Sequence, residues 1–460
     1  MKFSRLGERR WCTLITLVVI VSGLLCLFII YPILDERNGY RPITIPINNK
    51  PKPVDWIDPD TPKNALSKIA TDGSRYQLVF SDEFNKDGRT FGPGQDKAWE
   101  AVDLHYWVTG DYEWYQPDAV TTKNGNLEIK ITKERLHDLD YKSGMLQSWN
   151  KFCFTGGSIE VNVSLPGRGD IQGFWPAIWT MGNLGRAGYG ATTEGTWPYT
   201  YDTCDIGVTK NQSLTNNLSW LPGQKLNRCV CKGQEHPSPG KGRAAPEIDI
   251  LEAAGVPGQQ GTVSQSHQVA PFNANYDIKT QYTRIYDNDT NMNGYKGGKL
   301  QQAVSAVTTV PLQYYEGRGY QTYGFEYLPG PNGYVTWLIN GRPTWRVDAA
   351  AIGPDPITKI AQRMISEEPM YIIMNLAISS GFGWVDFEHL PFPSTMRIDY
   401  VRVYQHPDRI NIGCDPKDFP TADYINRHIN AYTNPNLTTW NQAGYEFPTF
   451  NLDGSCPNPP

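Results

Sequence analysis

Along most of this chain apolar residues do not recur at helical spacing. From Tyr76 onward they fall in short runs rich in Val, Ile, Tyr, Phe and Trp, punctuated by Gly, Asn, Asp and Pro, a texture that predicts strands joined by turns. The clearest runs are Leu127 to Glu134, Ser158 to Leu165, Tyr334 to Gly341, Pro369 to Ser379 and Met396 to Gln405. Several alternate apolar and polar positions, which gives each strand one buried face. Strands without intervening helices bury that face against a second sheet, so the expected fold is all-β, a jelly-roll sandwich. The sequence has no internal repeat, which argues against a propeller.

Two stretches break the pattern. Trp11 to Leu34 is an apolar run without charge, long enough for a helix to cross a hydrocarbon core of about 30 Å and longer than the roughly 7–15-residue core of a cleaved signal peptide. Lys2, Arg5, Arg9 and Arg10 precede it, so the positive-inside bias orients the N-terminus to the cytoplasm. The expected organisation is a cytoplasmic tail at 1–10, a transmembrane signal anchor at 11–34 and a Pro-rich, extended stem at 35–75. A folded domain follows at 76–409, then a C-terminal extension at 410–460, both lumenal or extracellular. Such a chain is a single-pass type II membrane protein of the secretory pathway. The second break is 183–245, a Gly-, Pro-, Asn- and Ser-rich segment too long for an ordinary loop. It is expected to be a cross-linked lid or cleft wall.

The formal net charge of −5 offers no basic field for phosphates, which excludes a nucleic-acid partner. With 19% charged residues but 14 Trp and 26 Tyr, the composition suits neutral polar ligands such as sugars, which stack on flat amphipathic rings. Cys153, Cys204, Cys229, Cys231, Cys414 and Cys456 form an even set outside the apolar span, as expected for disulfides in an oxidising compartment. Cys414 with Cys456 is the expected pair. Zinc on Cys204, Cys229 and Cys231 is disfavoured, because no neighbouring histidine has ligand spacing. Asn162, Asn211, Asn217, Asn288 and Asn436 are each followed two residues later by Ser or Thr and are candidate glycosylation acceptors.

Candidate chemistry concentrates in Glu247-Ile248-Asp249-Ile250-Leu251-Glu252. Period two places Glu247 and Asp249 on one strand face and Glu252 on the other. A β-bulge at Ile250 or Leu251 would reverse the later parity and bring all three acids to one side. Retaining glycosidases need two carboxyls about 5–5.5 Å apart. In that arrangement Glu247 is the nucleophile, Glu252 the general acid and base, and Asp249 the carboxylate that tunes Glu247. A solvent-facing acidic edge strand is the competing reading.

These acids, preceded by Gly173-Phe174-Trp175-Pro176-Ala177-Ile178-Trp179, resemble glycoside hydrolase family 16 in its bulged, laminarinase-like branch. Asp82-Glu83-Phe84, Tyr323-Gly324-Phe325-Glu326-Tyr327, Met374-Asn375-Leu376-Ala377 and Asp399-Tyr400-Val401-Arg402-Val403-Tyr404 extend the resemblance. Longer strings, among them Arg243 to Ala253 and Ile412 to Asn426, resemble the fungal β-1,6-glucan synthesis-associated proteins. The resemblance implies a membrane-anchored protein needed for assembling cell-wall β-glucan. It assigns nucleophile, helper and acid-base positions to Glu247, Asp249 and Glu252, and makes Trp179 a cleft ring that stacks on glucose. Trp175, which shares its strand parity, is a further candidate substrate contact, and His267, beside the expected cleft, is read as a hydrogen-bonded structural or sugar-contacting side chain and not a catalytic base. A structural calcium occurs in many such jelly rolls, but Asp82 and Asp399, the candidates here, are as easily explained by turn and strand-end hydrogen bonding; no other cofactor is implied. The expected partner is a β-glucan oligo- or polysaccharide, cleaved or transferred. The alternative is a glucan-binding scaffold or glycoprotein-processing partner with little catalysis.

Overall fold

The computed structural model describes residues 56–210, 220–452 and 456. The expected tail, transmembrane anchor and most of the stem lie outside the described residues, as do the acceptors Asn211 and Asn217. Among the described residues no helix is long and apolar enough to cross a membrane.

Two large, almost wholly antiparallel sheets pack face to face. One has ten strands. Its main path runs Ser67–Ile69, Arg75–Asp82, Ser394–Gln405, Gly157–Ser164, Gln321–Leu328, Tyr334–Ile339, Arg342–Asp348 and Thr283–Ile285. The other has eight, in the order Thr290–Met292, Gln302–Val310, Gly261–Val269, Glu247–Ala254, Phe174–Gly182, Met370–Ile378, Met145–Gln147 and Glu100–Ala101. The alternating runs of the sequence supply the strands. In Asn126–Ile131, Leu127, Ile129 and Ile131 are buried while Lys130 is exposed. Met370–Ile378, apolar at nearly every position, is buried along its whole length, as a central strand covered on both faces must be. One continuous core joins the inner faces, with Phe80, Trp99, Ile159, Phe325, Trp337, Ile372 and Met374 within it.

Outside the main core the insertion carries small apolar clusters of its own, one with Tyr199, Leu221 and Phe272 and another with Tyr201, Val208 and Ile360. The described parts of 183–245 run beside the cleft of the eight-stranded sheet, and the tail after Gln405 lies against them. Two short helices in that tail, Ala422–Arg427 and Ile429–Thr433, were not anticipated, since one or two turns carry too few residues to display a period. Tyr432 stacks on Trp149 at 5.5 Å and donates its hydroxyl to the Leu184 carbonyl at 2.7 Å. Arg186 returns a bond to the Tyr432 carbonyl at 2.7 Å. The fully buried Arg243 grips Glu368 through two bonds of 2.8 Å and also donates to the Pro420 carbonyl. That one guanidinium ties segment, sheet and tail together, each charge compensated by its partner.

The cysteine pairing corrects the expectation. Cys414 bonds Cys153, and Cys456 bonds Cys231, while Cys204 bonds Cys229. The reason is the course of the tail. It first runs beside Cys153, where Gly413 N–H donates to the Cys153 carbonyl, and only later reaches the insertion, where Cys231 N–H donates to the Thr449 carbonyl. The acceptors divide as well. Asn288 and Asn436 are exposed, but Asn162 stands mid-strand, paired on both sides, its amide donating to Thr322 Oγ1 at 2.9 Å. A glycan on that nitrogen would displace this bond.

Candidate active site

The strand Glu247–Ala254 is bulged. Against Phe174–Gly182 the register passes from Leu251↔Ile178 to Asp249↔Trp179, leaving Ile250 without a partner. Against Gly261–Val269 it passes from Asp249↔Ser266 to Glu252↔Ser264, so Ile250 and Leu251 together face Gln265. The extra residue reverses parity. Ile248, Ile250 and Leu251 enter the core, while Glu247, Asp249 and Glu252 all line one cavity on the other face.

Two core side chains hold the bulge. Trp337, from the opposite sheet, donates to the Asp249 carbonyl at 2.7 Å, and Gln265 donates to the Ile250 carbonyl at 3.1 Å. Thr344 in turn donates to Gln265 Oε1 at 2.7 Å. Carbonyls that a bulge removes from the ladder would be costly in a core if unpaired.

Each acid has its own donor. Trp197 Nε1 donates to Glu247 Oε2 at 2.7 Å, Trp175 Nε1 to Glu252 Oε1 at 3.1 Å, and Gln268 Nε2 to Asp249 Oδ2 at 3.0 Å. Trp175 is itself stacked flat on Phe382 at 4.4 Å. Trp179 lies in the wall of the same cavity, its indole donating to Asn375 Oδ1 at 2.9 Å; Asn375 donates to Tyr115, and Tyr115 to Asp111 at 2.8 Å. Both expected tryptophans are therefore cleft residues and not core filling.

Burial pushes the Glu247 carboxyl up to about 8 and the charge of Glu252 adds to this, against the bond from Trp197. Burial likewise pushes Glu252 up to about 7, against its bonds from Trp175 and Ser264. Asp249 is driven well above the usual carboxylate range, first by burial and then by its two acidic neighbours. Three acids in one low-dielectric cleft cannot all ionise together. The most buried of them, Asp249, keeps its proton and can donate it to Glu247.

Of the two readings of His267 the structural one holds, and its place among the substrate contacts is corrected. It pairs with Ile248 across the strands, is fully buried, and donates Nδ1–H to the Glu247 carbonyl at 2.8 Å. Cross-strand partners share a face, so its ring follows Ile248 away from the cleft; it braces the backbone of Glu247 and does not reach a ligand there. The calcium candidates do not fit either. Asp82 is filled by Arg89 through bonds of 2.7 and 2.8 Å and by Trp99 Nε1 at 2.8 Å. Asp399 is exposed, and among the described residues no group of three or more His, Cys, Asp or Glu is placed to hold a metal.

Asp111 and Tyr115 were not singled out from the sequence. Trp197, Gln268 and Asn375 stood within strings that carry the family resemblance, but without a role. Trp197 belongs to the 183–245 segment, which with Gly188, Gly190 and Thr193 walls the cavity.

The bulged sheet thus carries three like-facing carboxylates on one cavity, two of them each bonded to an indole. The chain belongs to the beta-glucan synthesis-associated protein SKN1/KRE6/Sbg1 family, whose model matches residues 1–456. It is 50% identical over 411 residues to the beta-glucan synthesis-associated protein KRE6 of Saccharomyces cerevisiae, covering 87% of this chain and 56% of that protein. To the KRE6 protein of Candida albicans it is 45% identical over 473 residues, covering 98% and 64%. The chain thus spans little more than half to two thirds of the length of these curated relatives. An endo-1,3-1,4-beta-glycanase of Rhizobium meliloti, EglC, is 30% identical over 357 residues, 73% of this chain and 53% of that protein. Among solved structures, the catalytic domain of an endo-1,3-beta-glucanase (laminarinase) from Thermotoga petrophila aligns with 22% identity and a TM-score of 0.46, covering 72% of this chain and 98% of that one.

Proposed function

We propose that the protein is a retaining, β-glucan-acting glycosidase or transglucosylase of cell-wall β-glucan assembly. In this reading Glu247 attacks the anomeric carbon, and Glu252 protonates the departing oxygen and later takes a proton from the incoming hydroxyl. Asp249 donates to Glu247 and so opposes the rise that burial imposes on the nucleophile. The observation that carries the reading is the bulge, which places Glu247 and Glu252 on one face of the strand, each fixed by an indole donor. Pre-set donors cost no reorganisation when charge moves during the reaction. The family's association with beta-glucan synthesis supports a glucan as the sugar handled. We further propose a type II membrane anchor at residues 11–34, with the sandwich lumenal or extracellular, supported by the charge asymmetry about that run and by three disulfides.

The test is mass spectrometry of products after wild type or Glu247→Gln is incubated with defined β-1,3- and β-1,6-gluco-oligosaccharides. Products made by the wild type and lost in the variant uphold the reading, with longer chains reporting transfer and shorter ones hydrolysis. Oligosaccharides bound but unchanged by both proteins would overturn it in favour of a glucan-binding scaffold.

A further inference from the structure

Beside the cleft lies a second pair of acids that the proposed reaction does not use. Asp111 and Glu113 stand two residues apart at the start of the short strand Glu113–Tyr115, which pairs with Leu104–His105 and Tyr141–Ser143. Both are buried, Glu113 completely, and of the two only Asp111 lines the cavity that holds Glu247. Asp111 accepts from Thr109 Oγ1 at 2.6 Å and from the Tyr115 hydroxyl at 2.8 Å, and Glu113 Oε2 accepts from the Ile378 N–H at 3.0 Å. Glu113 Oε1 is buried without a donor, and the Glu113 carboxyl stands within hydrogen-bonding reach of Asp111. Resting on the reading of the cleft given above, we propose that Asp111 and Glu113 are positioning residues. A single charge, held on Asp111 and backed by Glu113, fixes through Tyr115 and Asn375 the direction of the Trp179 indole against the bound sugar.

The sense of each hydrogen bond argues for it. An indole N–H can only donate, so Trp179 needs an oxygen. An amide can turn either its oxygen or its nitrogen to a neighbour, and a tyrosine hydroxyl can give or take. Left to themselves, Asn375 and Tyr115 could reverse. An ionised carboxylate cannot, because it only accepts. Asp111 therefore makes Tyr115 donate, and the Tyr115 oxygen is left to accept from Asn375 Nδ2 at 3.2 Å. Asn375 in turn presents Oδ1 to Trp179 Nε1 at 2.9 Å. All four groups are buried, where linked hydrogen bonds polarise one another.

The charge belongs on Asp111. Two carboxyls in contact cannot both ionise. Glu113, which has no access to the cavity, is driven well above the usual carboxylate range, first by burial and then by Asp111. Burial raises Asp111 to about 6, against its bonds from Thr109 and Tyr115. Glu113 thus keeps the proton and donates it to Asp111, which gives its otherwise unpartnered oxygen a partner. The other titratable groups about the pair are His105, whose ring bonds the Asp111 carbonyl at 2.8 Å, Tyr106, and the three acids lining the same cavity. From Met370–Ile378 come the Asn375 amide and the Ile378 N–H, neither of which titrates.

The experiment labels the full chain with 5-fluorotryptophan and follows the Trp179 fluorine resonance, assigned by its loss in Trp179→Phe, from about pH 4 to 9. Wild type should show a transition at about 6, as protonation of Asp111 releases the Tyr115 hydroxyl. Tyr115→Phe and Asp111→Asn each break the chain with little change of shape and should abolish that transition. Glu113→Gln, which still donates to Asp111, should keep it. The two breaking variants keep the test open if one of them does not fold. A transition that persists in both arises from His105 or the cleft acids and overturns the proposal, as does a wild-type resonance that does not titrate. The same resonance reports binding of a β-1,3- or β-1,6-gluco-oligosaccharide. Binding should weaken about tenfold in Tyr115→Phe, the equivalent of one net hydrogen bond, and stay near the wild-type affinity in Glu113→Gln; equal affinity in all three proteins overturns the proposal. A wild type that shows the transition but binds neither oligosaccharide would uphold the hydrogen-bond chain and sink the proposed function instead.

Discussion

The indole of Trp337 crosses the core to donate to the carbonyl of Asp249 at 2.7 Å. The ring lies flat on Trp345 at 4.3 Å, so its nitrogen is held in one direction. The carbonyl it meets is at the start of the bulge, and the bulge decides where Glu252 points. A residue with no access to the cleft thereby controls the spacing of the acids.

Trp337→Phe keeps most of the ring and removes the donor. Leaving the Asp249 carbonyl unpaired in the core is expected to cost about 1–3 kcal/mol, read as a lower denaturant midpoint with an unchanged slope. Activity on glucan should fall further than the loss of folded protein accounts for; equal losses would mean that the bulge is held by other contacts.

Trp197→Phe should act on the chemistry more than on the fold. It removes the donor that stabilises ionised Glu247, so the carboxyl rises further and the acidic limb of the pH–rate profile moves to higher pH. A loss in kcat on the order of 100-fold is expected, by comparison with other pre-set donors. Trp197→His, which can still present a ring N–H, should recover part of it.

The acids make stability depend on pH in a defined direction. Glu247 titrates near 4.5 when unfolded and at about 8 when folded, so between those values the folded state holds the extra proton. Stability is therefore greatest below the lower value and declines as pH rises through the upper one. Glu247→Gln removes this group. Thermal scans should find the variant more stable than wild type at the upper end of that window, with the two converging at its lower end.

Peptide mapping under non-reducing conditions should find Cys153 with Cys414 and Cys231 with Cys456. A peptide joining Cys414 to Cys456 would overturn the course of the tail described above. Breaking the second bridge in Cys456→Ser is expected to cost about 2–4 kcal/mol and to expose the tail to proteolysis before the sandwich. Glycan mapping on the same digests should show Asn288 and Asn436 occupied and Asn162 bare.

The sandwich was legible because period two is a local property: each alternating run states which face is buried without knowing its neighbours. The bulge was legible for the same reason, since Glu252 breaks the parity that Glu247 and Asp249 set. His267 was misplaced because its orientation depends on register against another strand, where it meets Ile248 and not an acid. Trp197 carried no local signal; it reaches Glu247 only because a long, disulfide-bonded segment folds back along the sheet. The cysteine pairs failed likewise, as proximity in sequence favoured Cys414 with Cys456 while the path of the tail separates them. Gln265, a polar residue turned into the core, had a partner no pattern could name.

One wall of the cavity that holds the three acids is made of chain that takes no part in either sheet. Gly190 lines that cavity and abuts Thr438, while Ala191 bonds the Leu437 carbonyl. One stretch outside both sheets thus serves two ends, since Trp197 meets Glu247 while Gly188, Gly190 and Thr193 stand in the wall of the same cavity. Changes near Gly190 or in the tail that spare Trp197 would then reshape the cavity while leaving every acid and its donor in place.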